Sequence, residues 1–129
     1  MRKALISQKL PKPAFKYSQV TQAGAHYYMS GLLALDCQTG ALTGETPGEQ
    51  TAKILENLQL LMEELGLGFE HLAMARIFTT QMDKFAEINA AWEELFNNIS
   101  EAPPARTSIG VAALPMGAKV EIEFTFYKD

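Results

Sequence analysis

Two stretches of this chain are apolar at both parities of a strand. Residues 26–35 (HYYMSGLLAL) and 74–78 (MARIF) put hydrophobic side chains at successive positions, where a strand with one wet face would alternate. Strands of this kind are covered on both sides. The remaining periodicity supplies only two amphipathic helices, and two helices cover one face of a sheet. The second face therefore calls for a cover that the chain does not encode. Another copy of the chain is the economical one, so the expected assembly is a homo-oligomer with clefts between subunits.

The helices are well delimited. Thr46-Pro47-Gly48-Glu49 is a capping box with proline at the first helical position. Ile54, Leu55, Leu58, Leu61, Met62 and Leu65 follow at helical spacing, and Gly66 supplies the stop. Asp83 is the expected cap of a second helix, whose inner stripe is Phe85, Ile88, Trp92, Leu95 and Phe96. A short strand falls near residues 4–7, and residues 9–24, interrupted by Pro11 and Pro13, read as irregular loop. Further strands fall at 26–35, 72–80, 107–114 and 119–127. The last alternates Val120, Ile122, Phe124 and Phe126 with Glu121, Glu123, Thr125 and Tyr127. Tyr27 and Tyr28, adjacent on a strand, point to opposite faces, one to the core and one to the interface. The order β-β-α-β-α-β-β makes one α+β domain over residues 1–129, with both helices on one face of a mixed sheet.

Composition excludes several roles. A net charge of -4 and a pI near 5.2 argue against a general nucleic-acid binder, which needs a basic surface to displace phosphate counterions. No apolar run reaches the roughly 18 residues of a membrane span, and the first residues have no apolar signal core. Cys37, the single cysteine, forms no disulfide within the chain and has no basic sequence neighbour to activate it. A reducing, cytoplasmic location is expected. His26, His71, Cys37 and the carboxylates lack metal-ligand spacing, so no metal site is expected. Neither a phosphate loop nor a G-x-S-x-G elbow occurs.

Two features carry chemistry. Glu121 and Glu123 share one strand face, either solvated or, if an oligomer buries that face, paired or functional. Their nearest partner in sequence is Arg106, expected on the neighbouring strand across the Pro115-Met116-Gly117 turn. Arg106 follows two prolines and an alanine, with Thr107 and Ser108 behind it. It is either the cation of a surface salt bridge or a planar guanidinium placed to grip a carboxylate with two parallel hydrogen bonds.

At these residues the chain resembles the RidA/YjgF family of enamine/imine deaminases. PPARTSIGVAALPMGAKVEIEF is similar to the family's C-terminal pattern: P-A-R, a small residue, an apolar strand, L-P, a turn, and E-I-E. YSQ at Tyr17, MSGLLALDCQTG, the helix carrying Gln50, Asn57 and Gly66, and the helix carrying Phe85, Asn89, Trp92 and Phe96 resemble its other segments in order and spacing. The resemblance spans nearly the whole chain.

It implies a chorismate-mutase-like fold and a homotrimer with sheets packed inward and three intersubunit clefts. It also implies a reaction without cofactor or metal: hydrolysis of 2-enamine/2-imine acids, such as the 2-aminoacrylate released by pyridoxal-phosphate enzymes, to 2-keto acids and ammonia. Arg106 matches the arginine that binds the substrate carboxylate, and Glu121 the glutamate that positions or activates water. Tyr17, Ser30 and Gly31 match residues lining the cleft, Ser108 stands where many members have cysteine, and Asn89 matches a structural asparagine. Phe15-Lys16-Tyr17 replaces the usual G-P-Y, and Leu32 stands where glutamine is common. Both departures touch the substrate-binding region and so bear on substrate range. The alternative is a non-catalytic module or sensor that binds 2-keto acids or small carboxylates in the same cleft. A ribonuclease role, a label the family has carried, fits poorly with the acidic charge and the lack of a basic stripe.

Overall fold

The computed structural model describes the whole chain, Met1–Asp129. It contains strands β1 (Lys3–Leu5), β2 (Val20–Ala23) and β3 (His26–Met29), helix α1 (Pro47–Leu65), strand β4 (Leu72–Thr79), helix α2 (Phe85–Phe96), and strands β5 (Ala105–Gly110) and β6 (Val120–Tyr127). All six strands form one sheet in the order β1-β2-β3-β6-β4-β5. Only β4 and β5 run parallel, joined through α2; every other neighbouring pair is antiparallel. This is the mixed α+β architecture that the sequence predicts.

Helix α1 begins as its capping box dictates. The Thr46 hydroxyl accepts from the Glu49 N–H and the Glu49 carboxylate accepts from the Thr46 N–H, while Gly66 closes the helix in the left-handed region at φ 69°. Two buried side chains tie this helix to the sheet. Gln50 donates to the Gly44 carbonyl and accepts from the Lys119 N–H just before β6, and Asn57 donates to the Leu35 carbonyl. Helix α2 starts differently from expectation. Asp83 is no cap; it lies in a short 3-10 turn, Met82–Lys84, that runs directly into the helix.

The core is the layer between the helices and one side of the sheet. Leu58, Ile54, Ile88 and Trp92 meet Ile77, Val120, Ile122, Phe124 and Phe126 there. Each such large apolar side chain contributes roughly 1.5–3 kcal/mol when fully removed from water. The alternation predicted for the last strand holds: its even-numbered residues are buried and Glu121, Glu123 and Thr125 lie half-exposed on the other side. That other side has no helix. It presents Tyr28, Tyr127 and Ile109, between 42% and 47% exposed, together with the half-buried Phe78. His26 lies beside Tyr28 and Tyr127, with ring centroids 6.0 and 5.0 Å away. Tyr27 faces the core instead.

The strand boundaries depart from expectation in three places. β2 lies inside the segment read as loop, where a glycine turn at Gly24 (φ 61°) pairs it with β3. Residues 30–35 are not regular strand, because the ladder stops at Met29 and resumes only as a single bridge between Leu32 and Ile122. β5 covers Ala105–Gly110 rather than 107–114. The expected adjacency of Arg106 and the glutamate pair is also corrected. β4 lies between β5 and β6, so Arg106 pairs in register with Ala75, and Glu123 pairs with Arg76.

Candidate functional site

The interruption after Met29 builds the site. The Ser30 N–H donates to the Gln19 carbonyl at 2.9 Å and the Ser30 hydroxyl donates to the Ser18 carbonyl at 2.6 Å, which draws this segment toward the loop preceding β2. Gly31 follows, and its lack of a side chain is a spatial requirement. A Cβ at this position would come within 2.8 Å of the Glu121 carboxyl carbon. The Gln19 side chain holds the loop in place, accepting from the Ser7 N–H and donating to the Pro11 carbonyl.

These constraints shape a cleft of about 610 Å³ lined by Tyr17, Ser30, Gly31 and Glu121 together with apolar residues of the 11–15 loop and of the turn before β6. Leu32, the other predicted site residue of this segment, exchanges backbone hydrogen bonds with Ile122 and faces a smaller cavity that also contacts Tyr17, Ser30 and Asn57. The Ser30 hydroxyl hydrogen is committed to Ser18, so toward a ligand this group acts as an acceptor.

Glu121 is the titratable group of the cleft. Burial pushes its carboxyl above the ordinary glutamate value, and the negative charge of Glu123 adds to the shift. No hydrogen bond or cation offsets either effect. Glu123, by contrast, is paired, with its Oε1 3.3 Å from Arg76 Nη1. Arg76 was not among the sequence candidates; only the strand register reveals it opposite Glu123.

Arg106 and Ser108 lie elsewhere. Both are on the edge strand β5, in register with the buried Ala75 and Ile77, and therefore on the helix side of the sheet. The Arg106 guanidinium stacks over the rings of Phe85 and Trp92, with centroid distances of 5.5 and 5.2 Å. It joins none of the three ion pairs of the chain. Its in-plane N–H groups thus remain available while its faces are held. Sequence periodicity assigned Trp92 to the core, where it is 5% exposed, but did not reveal its second role as a cation platform.

Within one chain, Glu121 and Arg106 therefore occupy opposite faces of the sheet on strands separated by β4. Two strand spacings amount to roughly 9.6 Å before the thickness of the sheet is added. A small substrate cannot touch both groups of the same chain.

The remaining candidates place simply. No three His, Cys, Asp or Glu side chains gather in a metal-holding group. His71 Nδ1 accepts from the Gly68 N–H, and the Cys37 thiol, raised by burial, donates to Asn57 Oδ1. No helix is long and apolar enough to cross a membrane.

Known proteins share this sequence pattern and this fold. A RutC family protein of Aquifex aeolicus (strain VF5) is 36% identical over 120 residues, covering 93% of this chain and 94% of the relative. The crystal structure of RidA from the Antarctic bacterium Psychrobacter sp. PAMC 21119 superposes with a TM-score of 0.87 at 31% identity, over 98% of this chain and 99% of that one. E. coli TdcF, solved with bound serine, superposes with a TM-score of 0.90 at 27% identity over the same shares. The family model described as Endoribonuclease L-PSP matches residues 7–127. The chain belongs to this L-PSP family, the group of the RutC and RidA proteins.

Proposed function

We propose that the protein hydrolyses 2-imino acids to 2-oxo acids and ammonia in clefts completed by a second copy of the chain, within a trimer whose sheets pack inward. The observation that carries this reading is the separation of two unpaired, complementary groups: a carboxylate in the cleft, Glu121, and a guanidinium on the opposite side of the edge strand, Arg106. Family membership supports the reaction class, and serine bound to TdcF supports a ligand of amino-acid size. The exposed aromatic and aliphatic side chains of the helix-free sheet face support assembly through that face.

The chemistry follows from the two groups. Arg106 of one copy grips the substrate carboxylate with two parallel charge-assisted hydrogen bonds, which fixes C2 in the cleft of its neighbour. Glu121 of that neighbour takes a proton from a water as the oxygen adds to C2, giving a carbinolamine. That proton passes to the nitrogen to complete the carbinolamine; Glu121 then carries the hydroxyl proton to the same nitrogen as the C–N bond breaks, ammonia leaves and the C=O bond of the 2-oxo acid forms. A carboxyl raised above its ordinary value is better suited to this two-way transfer than a fully stabilised carboxylate. Ser30 and Tyr17 border the reacting centre, and the Ser108 backbone supports the carboxylate end. The reaction takes place in the cytoplasm, where the free Cys37 stays reduced.

The test is direct. Imines are generated in situ with an amino-acid oxidase and their loss is followed by semicarbazide trapping. Acceleration by the purified protein, lost in Arg106→Ala, is the expected result. A second reading, a non-catalytic sensor of 2-oxo acids, draws on the bound serine of TdcF; it predicts ligand binding without acceleration.

A further inference from the structure

The cleft contains more than the reactive groups need. Apart from Glu121, its only charged residue is Lys12, and most of the remaining wall is apolar, including Phe15, Leu33, Leu35, Pro115 and Met116. Two of these are unusual for a protein surface: Phe15 is 83% exposed and Met116 is 59% exposed. Met116 is also the only non-glycine residue in the left-handed region, at φ 62° and ψ 17°. A methionine there is strained where glycine would not be, and its immediate neighbour Gly117 shows that the turn has glycine at hand. A strained backbone that presents a large, flexible apolar side chain to a cleft is the kind of feature that recognises a ligand. The cleft volume, about 610 Å³, lies in the range of pockets that hold ligands much larger than a three-carbon acid.

We infer that Phe15 and Met116 form an apolar side-chain subsite, so that the protein acts on imines of amino acids with bulky aliphatic or aromatic side chains in preference to those of alanine or serine. This rests on the imine-hydrolase reading and names the substrate class of the same site. A methyl side chain attached to C2 touches little of this wall. An isobutyl or benzyl group removes Phe15 and Met116 from water along with itself, and each buried methylene is worth roughly a fourfold gain in affinity.

The experiment is calorimetric titration of the full chain with the product analogues pyruvate, 4-methyl-2-oxopentanoate and phenylpyruvate, alongside hydrolysis of the matching imines. The two bulky acids bind at least about tenfold more tightly than pyruvate. Phe15→Ala, on an exposed loop, and Met116→Gly, which also relieves the left-handed strain, each reduce that preference by about threefold or more. Equal or tighter binding of pyruvate, or a preference that neither substitution changes, overturns the subsite. Hydrolysis of all imines without size preference overturns it while leaving the catalytic reading intact. Size-dependent binding without hydrolysis of any imine sustains the subsite and removes the catalytic reading.

Discussion

Gly31 and Glu121 are packed so closely that a single methyl group on the first would fall 2.8 Å from the carboxyl carbon of the second. The glycine is there for the carboxylate, since its backbone lies outside the region that requires glycine. Gly31→Ala therefore forces the Glu121 side chain to turn aside while the fold stays intact. The expected result is a fall in kcat of at least about tenfold with a melting temperature within a few degrees of the parent. An unchanged kcat would show that the carboxylate position is not critical.

Burial and one like-charged neighbour set the pH at which Glu121 ionises. Burial first, and then Glu123, favour its protonated form, so the ionised base appears only as pH rises through a value above that of an ordinary glutamate. Activity accordingly rises along an acid limb lying above that value. Glu123→Gln removes one cause of the shift and frees the Arg76 cation beside it, so the limb moves to lower pH. The same sign governs stability. The raised group favours the folded state most at low pH and loses that contribution as pH rises through its folded value, so Glu121→Gln stabilises the chain at neutral pH and not in acid. Thermal melts and pH–rate profiles of the three proteins check both statements.

Arg106 is exposed and unpaired in the chain, so its removal spares the fold. Two charge-assisted hydrogen bonds to a carboxylate are worth roughly 3–6 kcal/mol together, so Arg106→Ala lowers kcat/KM by about 100-fold or more. Arg106→Lys recovers only a small part, because an ammonium offers neither the fork nor the stacking face. Full recovery with lysine would point to a simple charge requirement.

Phe85 and Trp92 hold the guanidinium by its faces. Losing one ring forfeits roughly 0.5–2 kcal/mol of positioning, so Phe85→Leu raises KM several-fold with little change in kcat, and Phe85→Tyr restores it. A merely structural role for Phe85 would lower the melting temperature without this split between KM and kcat.

How much of this was legible in the sequence follows from the range of each interaction. The α1 cap, its glycine stop and the alternation of β6 are local patterns and were read directly. β2 escaped because four residues between a proline-rich loop and a glycine turn carry too little periodicity. The end of β3 escaped because the ladder is broken by hydrogen bonds from Ser30 to residues 18 and 19, contacts that no local pattern announces. The site divides in the same way. Tyr17, Ser30, Gly31 and Glu121 were named from family motifs and share a cleft. Pairing Arg106 with the glutamates assumed that consecutive strands are neighbours, which holds for β1 to β3 and fails where β4 is inserted between β6 and β5. Arg76 and Met116 needed the register and the backbone dihedral, neither of which is a sequence property.

The central claim is that Arg106 and Glu121 act on one substrate from two copies of the chain. It is tested by mixing Arg106→Ala and Glu121→Gln variants, each nearly inactive alone, unfolding and refolding them together at equal concentration, and measuring imine hydrolysis. Random assembly gives each cleft an intact arginine from one copy and an intact glutamate from its neighbour in about a quarter of cases, so about a quarter of the parent activity returns. No recovery in correctly reassembled mixtures would contradict the composite site.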